Sequence, residues 1–155
     1  EANGDVFKGE WGNNDFKGKI AFANGNVYEG EWKMGYGADG KGKFSYNDGT
    51  VYDGDWSYGK KQGIGKLTSA DGHVYDGSWG ANERDGDGKQ SYPDGGVYKG
   101  EWKNDKKHGY GVLTSGNGNV YQGEWRNDKR CGKGVETNAT GQIIYEGVWK
   151  WGDSH

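Results

Sequence analysis

Branched aliphatic side chains are scarce in this sequence. Two Leu, four Ile and nine Val, taken with four Phe, make up about 12% of the 155 residues, well below what an ordinary globular core uses. A conventional aliphatic core is therefore excluded. Proline and cysteine each occur once. The single Pro excludes collagen-like and proline-rich linker sequences, and the lone Cys131 excludes an intramolecular disulfide and fits a reducing, cytoplasmic location. No run of 18 apolar residues is present, so nothing reads as a membrane-spanning helix. The opening residues lack the charged and apolar regions of a signal peptide, and the array is expected to be either part of a longer protein or a short stand-alone unit. An excess of positive charge is also missing: 20 Lys and Arg stand against 23 Asp and Glu, a net charge of −3. That balance argues against the clustered basic surface of a nucleic-acid binder.

What the chain does have is glycine and aromatic rings: 33 Gly, 8 Trp and 11 Tyr. Disordered chains combine few aromatics with high net charge, and neither description fits. The core must be built from rings, with glycine making room for them.

Those residues recur at a fixed period. The segments VFKGEW, VYEGEW, VYDGDW, VYDGSW, VYKGEW, VYQGEW and IYEGVW end on Trp11, Trp32, Trp56, Trp79, Trp102, Trp125 and Trp149, at intervals of 21, 24, 23, 23, 23 and 24 residues. After each Trp comes a polar stretch and then Gly-x-Gly, as at Gly40/Gly42, Gly63/Gly65, Gly86/Gly88, Gly109/Gly111 and Gly132/Gly134. The first copy differs, with Phe16 and Gly18 at those places. Its missing residues are expected to fall in the loop, leaving the strands unchanged.

Each unit reads as two short strands. Alternation along Val27 to Trp32 places Tyr28, Gly30 and Trp32 on one face and charged residues on the other. In the second strand Gly40, Gly42, Phe44 and Tyr46 share a face. Asn-Gly or Asp-Gly pairs at 24–25, 48–49, 71–72, 94–95 and 117–118 then lead to the next unit, which is the strongest short hairpin signal. The expectation is an all-β chain: a continuous antiparallel meander with tight turns at the Asn-Gly edge and longer polar loops after each Trp. Glycine in Tyr-x-Gly-x-Trp would leave space for a ring from the neighbouring strand.

Tyr-x-Gly-x-Trp followed by a polar loop and Gly-x-Gly, at a period of 23, resembles the MORN repeat (membrane occupation and recognition nexus). The resemblance covers seven copies starting near residues 6, 27, 51, 74, 97, 120 and 144, a single array across 1–155. It implies an elongated, twisted single-layer sheet of stacked hairpins, a solenoid-like rod with a groove, used as a non-enzymatic scaffold. Proteins with this repeat are typically associated with the cytoskeleton, axonemes or membrane junctions.

Two candidate surfaces follow. The aromatic row Tyr28, Trp32, Tyr52, Trp56, Tyr75, Trp79, Tyr98, Trp102, Tyr121 and Trp125 projects from one face with no helix layer to cover it. Part of its ring surface is therefore expected to stay accessible and to hold an extended or helical segment of a protein partner. The second candidate is a basic stripe in the loops: Lys60, Lys61, Lys106, Lys107, Lys129 and Arg130. It is interrupted by Glu83 and Asp85 around Arg84, and would give weak, salt-sensitive contact with acidic phospholipids. Terminal strands with unpaired edges also offer a route to homo-oligomers.

No catalytic residue, metal ligand or cofactor site is expected. The carboxylates along the first strands, among them Glu31, Asp55, Glu101 and Glu124, are equivalent by repeat and read as cross-strand ion pairs, whereas catalysis needs carboxylates in differing environments. Asp85 to Gly88 looks like the start of a calcium loop but continues with Lys89, and Gly35 to Lys41 looks like a phosphate-binding loop but continues with Gly42. His73, His108 and His155 occupy unrelated phases, and Asn138-Ala139-Thr140 matches a glycosylation acceptor with no other sign of secretion.

Overall fold

The computed structural model describes residues 4–150 and is all-β, with no helix among those residues. Thirteen strands follow in chain order: β1 (Val6–Trp11), β2 (Asp15–Ala21), β3 (Val27–Lys33), β4 (Gly37–Ser45), β5 (Val51–Ser57), β6 (Lys60–Thr68), β7 (Val74–Gly80), β8 (Glu83–Ser91), β9 (Val97–Lys103), β10 (Lys106–Thr114), β11 (Val120–Arg126), β12 (Lys129–Thr137) and β13 (Ile143–Trp149). The sheet order is the chain order. The chain divides into two compact units, one made of the chain up to Gly72 with Trp79–Asn82, the other of His73–Ser78 with the chain from Glu83 onward.

In the first unit glycine faces glycine across every strand pair: Gly9 with Gly18, Gly18 with Gly30, Gly30 with Gly42, Gly42 with Gly54, and Gly54 with Gly65. The second unit repeats the arrangement with Gly88, Gly100, Gly111, Gly123, Gly134 and Gly147. Each rank is a furrow without β-carbons, and the tyrosines lie in it. Within the first unit the Tyr28 hydroxyl donates to the Glu31 carbonyl at 2.6 Å and Tyr52 to Asp55 at 2.9 Å. Within the second, Tyr75, Tyr98, Tyr121 and Tyr145 donate to the carbonyls of Ser78, Glu101, Glu124 and Val148 at 2.8–3.1 Å. The phenol therefore runs along its own strand, over the glycine two residues on. A β-carbon at Gly42, Gly65 or Gly88 would collide with the phenol of Tyr28, Tyr52 or Tyr75. The ring over Gly30, Gly54 and Gly77 thus belongs to the same strand, whereas the ring over Gly42, Gly65 and Gly88 comes from the strand before.

The two edges are the reverse of the expected pair. From the third copy on, the segments after Trp are two-residue turns, and β6, β10 and β12 begin at once on Lys60, Lys106 and Lys129. Asn104 and Asp105 take φ of 51° and 70°, Asn127 and Asp128 50° and 70°, and Ala81 and Asn82 50° and 76°. Left-handed φ at both central residues is the tight hairpin geometry that matches strand twist, and Asn and Asp tolerate it. The Asn-Gly and Asp-Gly junctions are instead five-residue loops. In 46–50, Gly49 N donates to the Tyr46 carbonyl at 3.0 Å and Tyr46 N to the Thr50 carbonyl at 2.7 Å. Here only Gly49 has positive φ, 99°.

Gly-x-Gly also divides into two roles. Register shifts separate Gly54 from Trp56 on β5 and Lys107 from Gly111 on β10, so the second strand carries a bulge. Gly63, the first glycine of its pair, has φ of 82° there, a conformation glycine adopts without penalty. In the first copy β1 and β2 pair without any shift. The residues missing from it are therefore those of the bulge, so the strand itself is altered and not merely the loop.

These roles predict a graded response to an added methyl group. Gly88→Ala should destabilise by about 3 kcal/mol, because the phenol of Tyr75 cannot retreat. Gly12→Ala, whose β-carbon would meet nothing closer than 3.8 Å, should change stability by less than about 0.5 kcal/mol. Urea denaturation of the two variants checks the contrast, and equal values would remove the packing account.

Candidate functional site

In the first unit Tyr52 stands edge-on between Trp56 at 4.9 Å and Trp79 at 5.4 Å. In the second, Tyr98 stands between Trp102 at 5.2 Å and Trp125 at 5.4 Å. Each indole also ties back to the strand before it: Trp56 Nε1 donates to the Gly42 carbonyl at 3.0 Å, Trp79 to Gly65 at 3.0 Å, Trp102 to Gly88 at 3.2 Å and Trp125 to Gly111 at 3.3 Å. Edge-to-face pairs of this kind add about 0.5–1.5 kcal/mol beyond their burial. The indole Nε1 of Trp149 has no partner.

This packing corrects the expected exposure of the aromatic row. Tyr28, Tyr52, Tyr75, Tyr98 and Tyr121 are at most 1% exposed, and Trp56, Trp79, Trp102 and Trp125 lie between 4% and 7%. Of the ten rings, only Trp32 is half-buried. The tyrosines sink into the glycine furrow and the next tryptophan closes over them, so a second layer is unnecessary. Burial, the leading cause, raises the hydroxyl pKa of Tyr28, Tyr52, Tyr75 and Tyr98 well above the usual phenol value, and pushes that of Tyr121 up to about 12.

The basic residues separate by alternation. Lys60, Lys106 and Lys129 are exposed, whereas Lys61, Lys107 and Arg130 are half-buried and turn onto the rings. Lys61 Nζ lies 5.7 Å from the Tyr52 ring and 5.6 Å from Trp79. Lys107 lies 5.7 Å from Tyr98 and 5.3 Å from Trp125, and Arg130 4.6 Å from Tyr121 and 5.8 Å from Trp149. Arg84, which stands between the two acids expected to interrupt the stripe, belongs to the same row, 5.9 Å from Tyr75 and 4.3 Å from Trp102. Its phase was the available signal, because the slot opposite Trp recurs in every copy. The four cations thus face the rings of their own chain, worth about 0.5–2 kcal/mol each.

In the second unit these cations are also fastened to polar partners. Arg84 Nη1 donates to Gln90 Oε1 at 2.9 Å and its Nε to Asp105 Oδ1 at 2.6 Å, and Arg130 Nη1 donates to Glu136 Oε1 at 3.0 Å. Lys107 Nζ stands 3.8 Å from Asp128 Oδ1, and burial holds its ammonium pKa below the usual lysine value. Asp105 N donates to the Arg84 carbonyl at 3.0 Å while Arg84 N donates to Asp105 Oδ1 at 3.1 Å, and Asp128 brackets Lys107 in the same way.

The accessible part of the aromatic face lies one step outward from the tyrosines. In the first unit Phe22 stacks on Phe44 at 5.8 Å and Phe44 tilts against Tyr46 at 4.5 Å, all half-buried. In the second unit a cleft of about 420 Å³ is lined by His73, Tyr92, Gly96, Lys107, Leu113 and Ser115 among others. His73 meets Tyr92 edge-on at 5.8 Å. Size and an apolar floor with a few polar groups at hand, here His73, Asp94 and Lys107, are features of a recognition cleft.

The carboxylates lie elsewhere. Asp55 accepts from Lys41 Nζ at 2.6 Å and from Ile64 N at 3.0 Å; these bonds, the lysine's first, hold its pKa below the usual carboxylate value. Asp55 therefore caps the bulge as well as pairing across strands. Burial pushes the Cys131 thiol pKa up, which keeps it protonated and a poor nucleophile. Among the described residues no group of three His, Cys, Asp or Glu is placed to hold a metal ion.

The MORN repeat family model matches residues 28–51, 52–74, 75–97, 98–120 and 121–143, and the chain belongs to that family. No curated protein sequence matches it. Among solved structures, the TCP domain of SAS-4 (dCPAP) from Drosophila melanogaster, in complex with a proline-rich motif of Ana2 (dSTIL), is similar at 13% identity and a TM-score of 0.47, over 88% of this chain and 79% of that one. The TCP10 domain of Danio rerio CPAP is similar at 14% identity and a TM-score of 0.44, over 95% of this chain and 64% of that one. The TCP10c domain of Drosophila melanogaster Sas-4 is similar at 15% identity and a TM-score of 0.44, over 94% and 98%.

The raised phenol values predict alkaline sensitivity. An unfolded tyrosine ionises near pH ~10, so the stability of the buried neutral phenols is intact below that pH and is lost as pH rises above it. Phenolate absorbance should rise together with loss of near-ultraviolet dichroism, in one cooperative step above about pH 10. Gradual ionisation with the dichroism intact would contradict the burial.

Proposed function

We propose that the protein is a non-enzymatic scaffold that binds a segment of a protein partner on its aromatic face. Membership of the MORN family supports a repeat module without catalysis of its own. The observation that carries the reading is the division of the rings into two sets. Tyrosine and tryptophan are buried and hydrogen-bonded, while the next row outward is left half-buried: Phe44 and Tyr46 in the first unit, and in the second Tyr92 and Leu113, which line a cleft. Aromatic anchors at a partly open cleft are the residues that carry binding energy at interfaces. The partner would be an extended segment laid on this outer row, and the place of action cytoplasmic, at the cytoskeleton or a membrane junction. Acidic-lipid contact through the loop cations is disfavoured by the inward turn of Lys61, Lys107 and Arg130.

Selection from a displayed peptide library, followed by affinity measurement on variants, tests this. Tyr92→Ala with Leu113→Ala should weaken the selected segment about tenfold or more, the scale of a hot spot. Charge reversal of Lys60, Lys106 and Lys129 should leave it unchanged. Selected binding that ignores the aromatic pair and follows the lysines would overturn the proposal in favour of an electrostatic surface.

A further inference from the structure

Three cations of the second unit lie over its rings, and two of them find a polar partner six residues on. Arg84 Nη1 donates to Gln90 Oε1 at 2.9 Å, and Arg130 Nη1 to Glu136 Oε1 at 3.0 Å. Six residues after Lys107 the chain has Leu113, which supplies no side-chain acceptor. The carboxylate paired with this ammonium, Asp128 Oδ1, stands 3.8 Å away, longer than a hydrogen bond, and already accepts from Lys107 N at 2.8 Å. An ammonium has three N–H donors, and the Lys107 side chain is only 16% exposed. Lys107 also lines the cleft of about 420 Å³ together with Tyr92, Pro93 and Leu113. Its Nζ lies 5.9 Å from the Tyr92 ring and 5.7 Å from that of Tyr98, the residue paired with Leu113 between β9 and β10. The ammonium, the half-buried ring and the leucine therefore border one opening.

We propose that this cleft receives an acidic side chain of the partner segment, an aspartate or glutamate whose carboxylate accepts from Lys107 while an apolar neighbour lies on Tyr92 and Leu113. The occupant is argued from charge. An ammonium withdrawn from water gains most from an ionised acceptor that replaces the lost solvent. Arg130 shows the completed arrangement in the same unit, 4.6 Å from the Tyr121 ring with Glu136 Oε1 at 3.0 Å. The acid on the cleft wall, Asp94, is engaged by its own loop, where Oδ1 accepts from Gly96 N at 2.8 Å. The inference rests on the scaffold reading and names the chemistry of one contact in its cleft.

Seven-residue peptides with a central aspartate, asparagine or lysine between two leucines, capped at both ends, are titrated into the full chain while the Tyr92 ring resonances are followed. The aspartate peptide should bind about tenfold more tightly than the asparagine one, and the lysine peptide most weakly. In Lys107→Met, which keeps an unbranched stem on the rings, aspartate and asparagine peptides should bind alike. Leu113→Glu places a carboxylate six residues after the lysine, as Glu136 follows Arg130, and should remove the preference by supplying the acceptor from within. A cooperative melting transition confirms that both variants fold. The proposal is overturned if the parent does not separate aspartate from asparagine, if the lysine peptide binds best, or if the preference survives in Lys107→Met. In that event a library-selected segment that still depends on Tyr92 and Leu113 leaves the scaffold reading standing. Acid preference with no selected segment overturns that reading alone.

Discussion

A tyrosine can lie along its own strand only if the second residue on, and the residue paired with it across the sheet, both lack a β-carbon. That single steric condition organises this fold. Gly30 and Gly42 satisfy it for Tyr28, Gly54 and Gly65 for Tyr52, Gly100 and Gly111 for Tyr98. Once it is met, the hydroxyl reaches a carbonyl three residues on and the ring is buried with its polar atom paired, which removes the cost of hiding a phenol from water.

The other interactions depend on the ring being held there. A phenol fixed in the furrow presents its face to the following tryptophan, whose indole then reaches back to the glycine carbonyl of the preceding unit. The edge-to-face pair leaves ring surface on which Lys61, Lys107 or Arg130 settles. The same cation slot is bracketed by the turn residues Asn82, Asp105 and Asp128. Rings, cations and turns thus form connected layers around a core that contains almost no leucine or isoleucine.

Function falls to what these layers leave uncovered. Because the Tyr-x-Gly-x-Trp rings are consumed by the core, the positions left half-buried are those one step outward, such as Phe44, Leu67, Leu113 and Glu136 opposite the tyrosines. Much of this was readable from phase alone: residues at equal places in the period must face alike. Which of two neighbouring aromatic rows would be covered was not readable, since alternation assigns a face without saying how deep a ring sinks. The paired role of Arg84 and Gln90 was hidden for a similar reason, because they are six residues apart and meet only across the bulge.

Period, strand count and the antiparallel meander follow from the sequence by itself, because alternation and turn residues act over a few neighbours. The spacing of tryptophan and the identity of each glycine contain that information directly. The tertiary structure decided which edge is tight, which glycine makes the bulge and which cations face inward. Those outcomes depend on φ at Asn104 and Asp105 and on register across strands, and register is settled by the competition of all cross-strand contacts at once. A one-residue slip in one hairpin exchanges a lysine that meets solvent for one that covers a ring, and no local pattern records that difference.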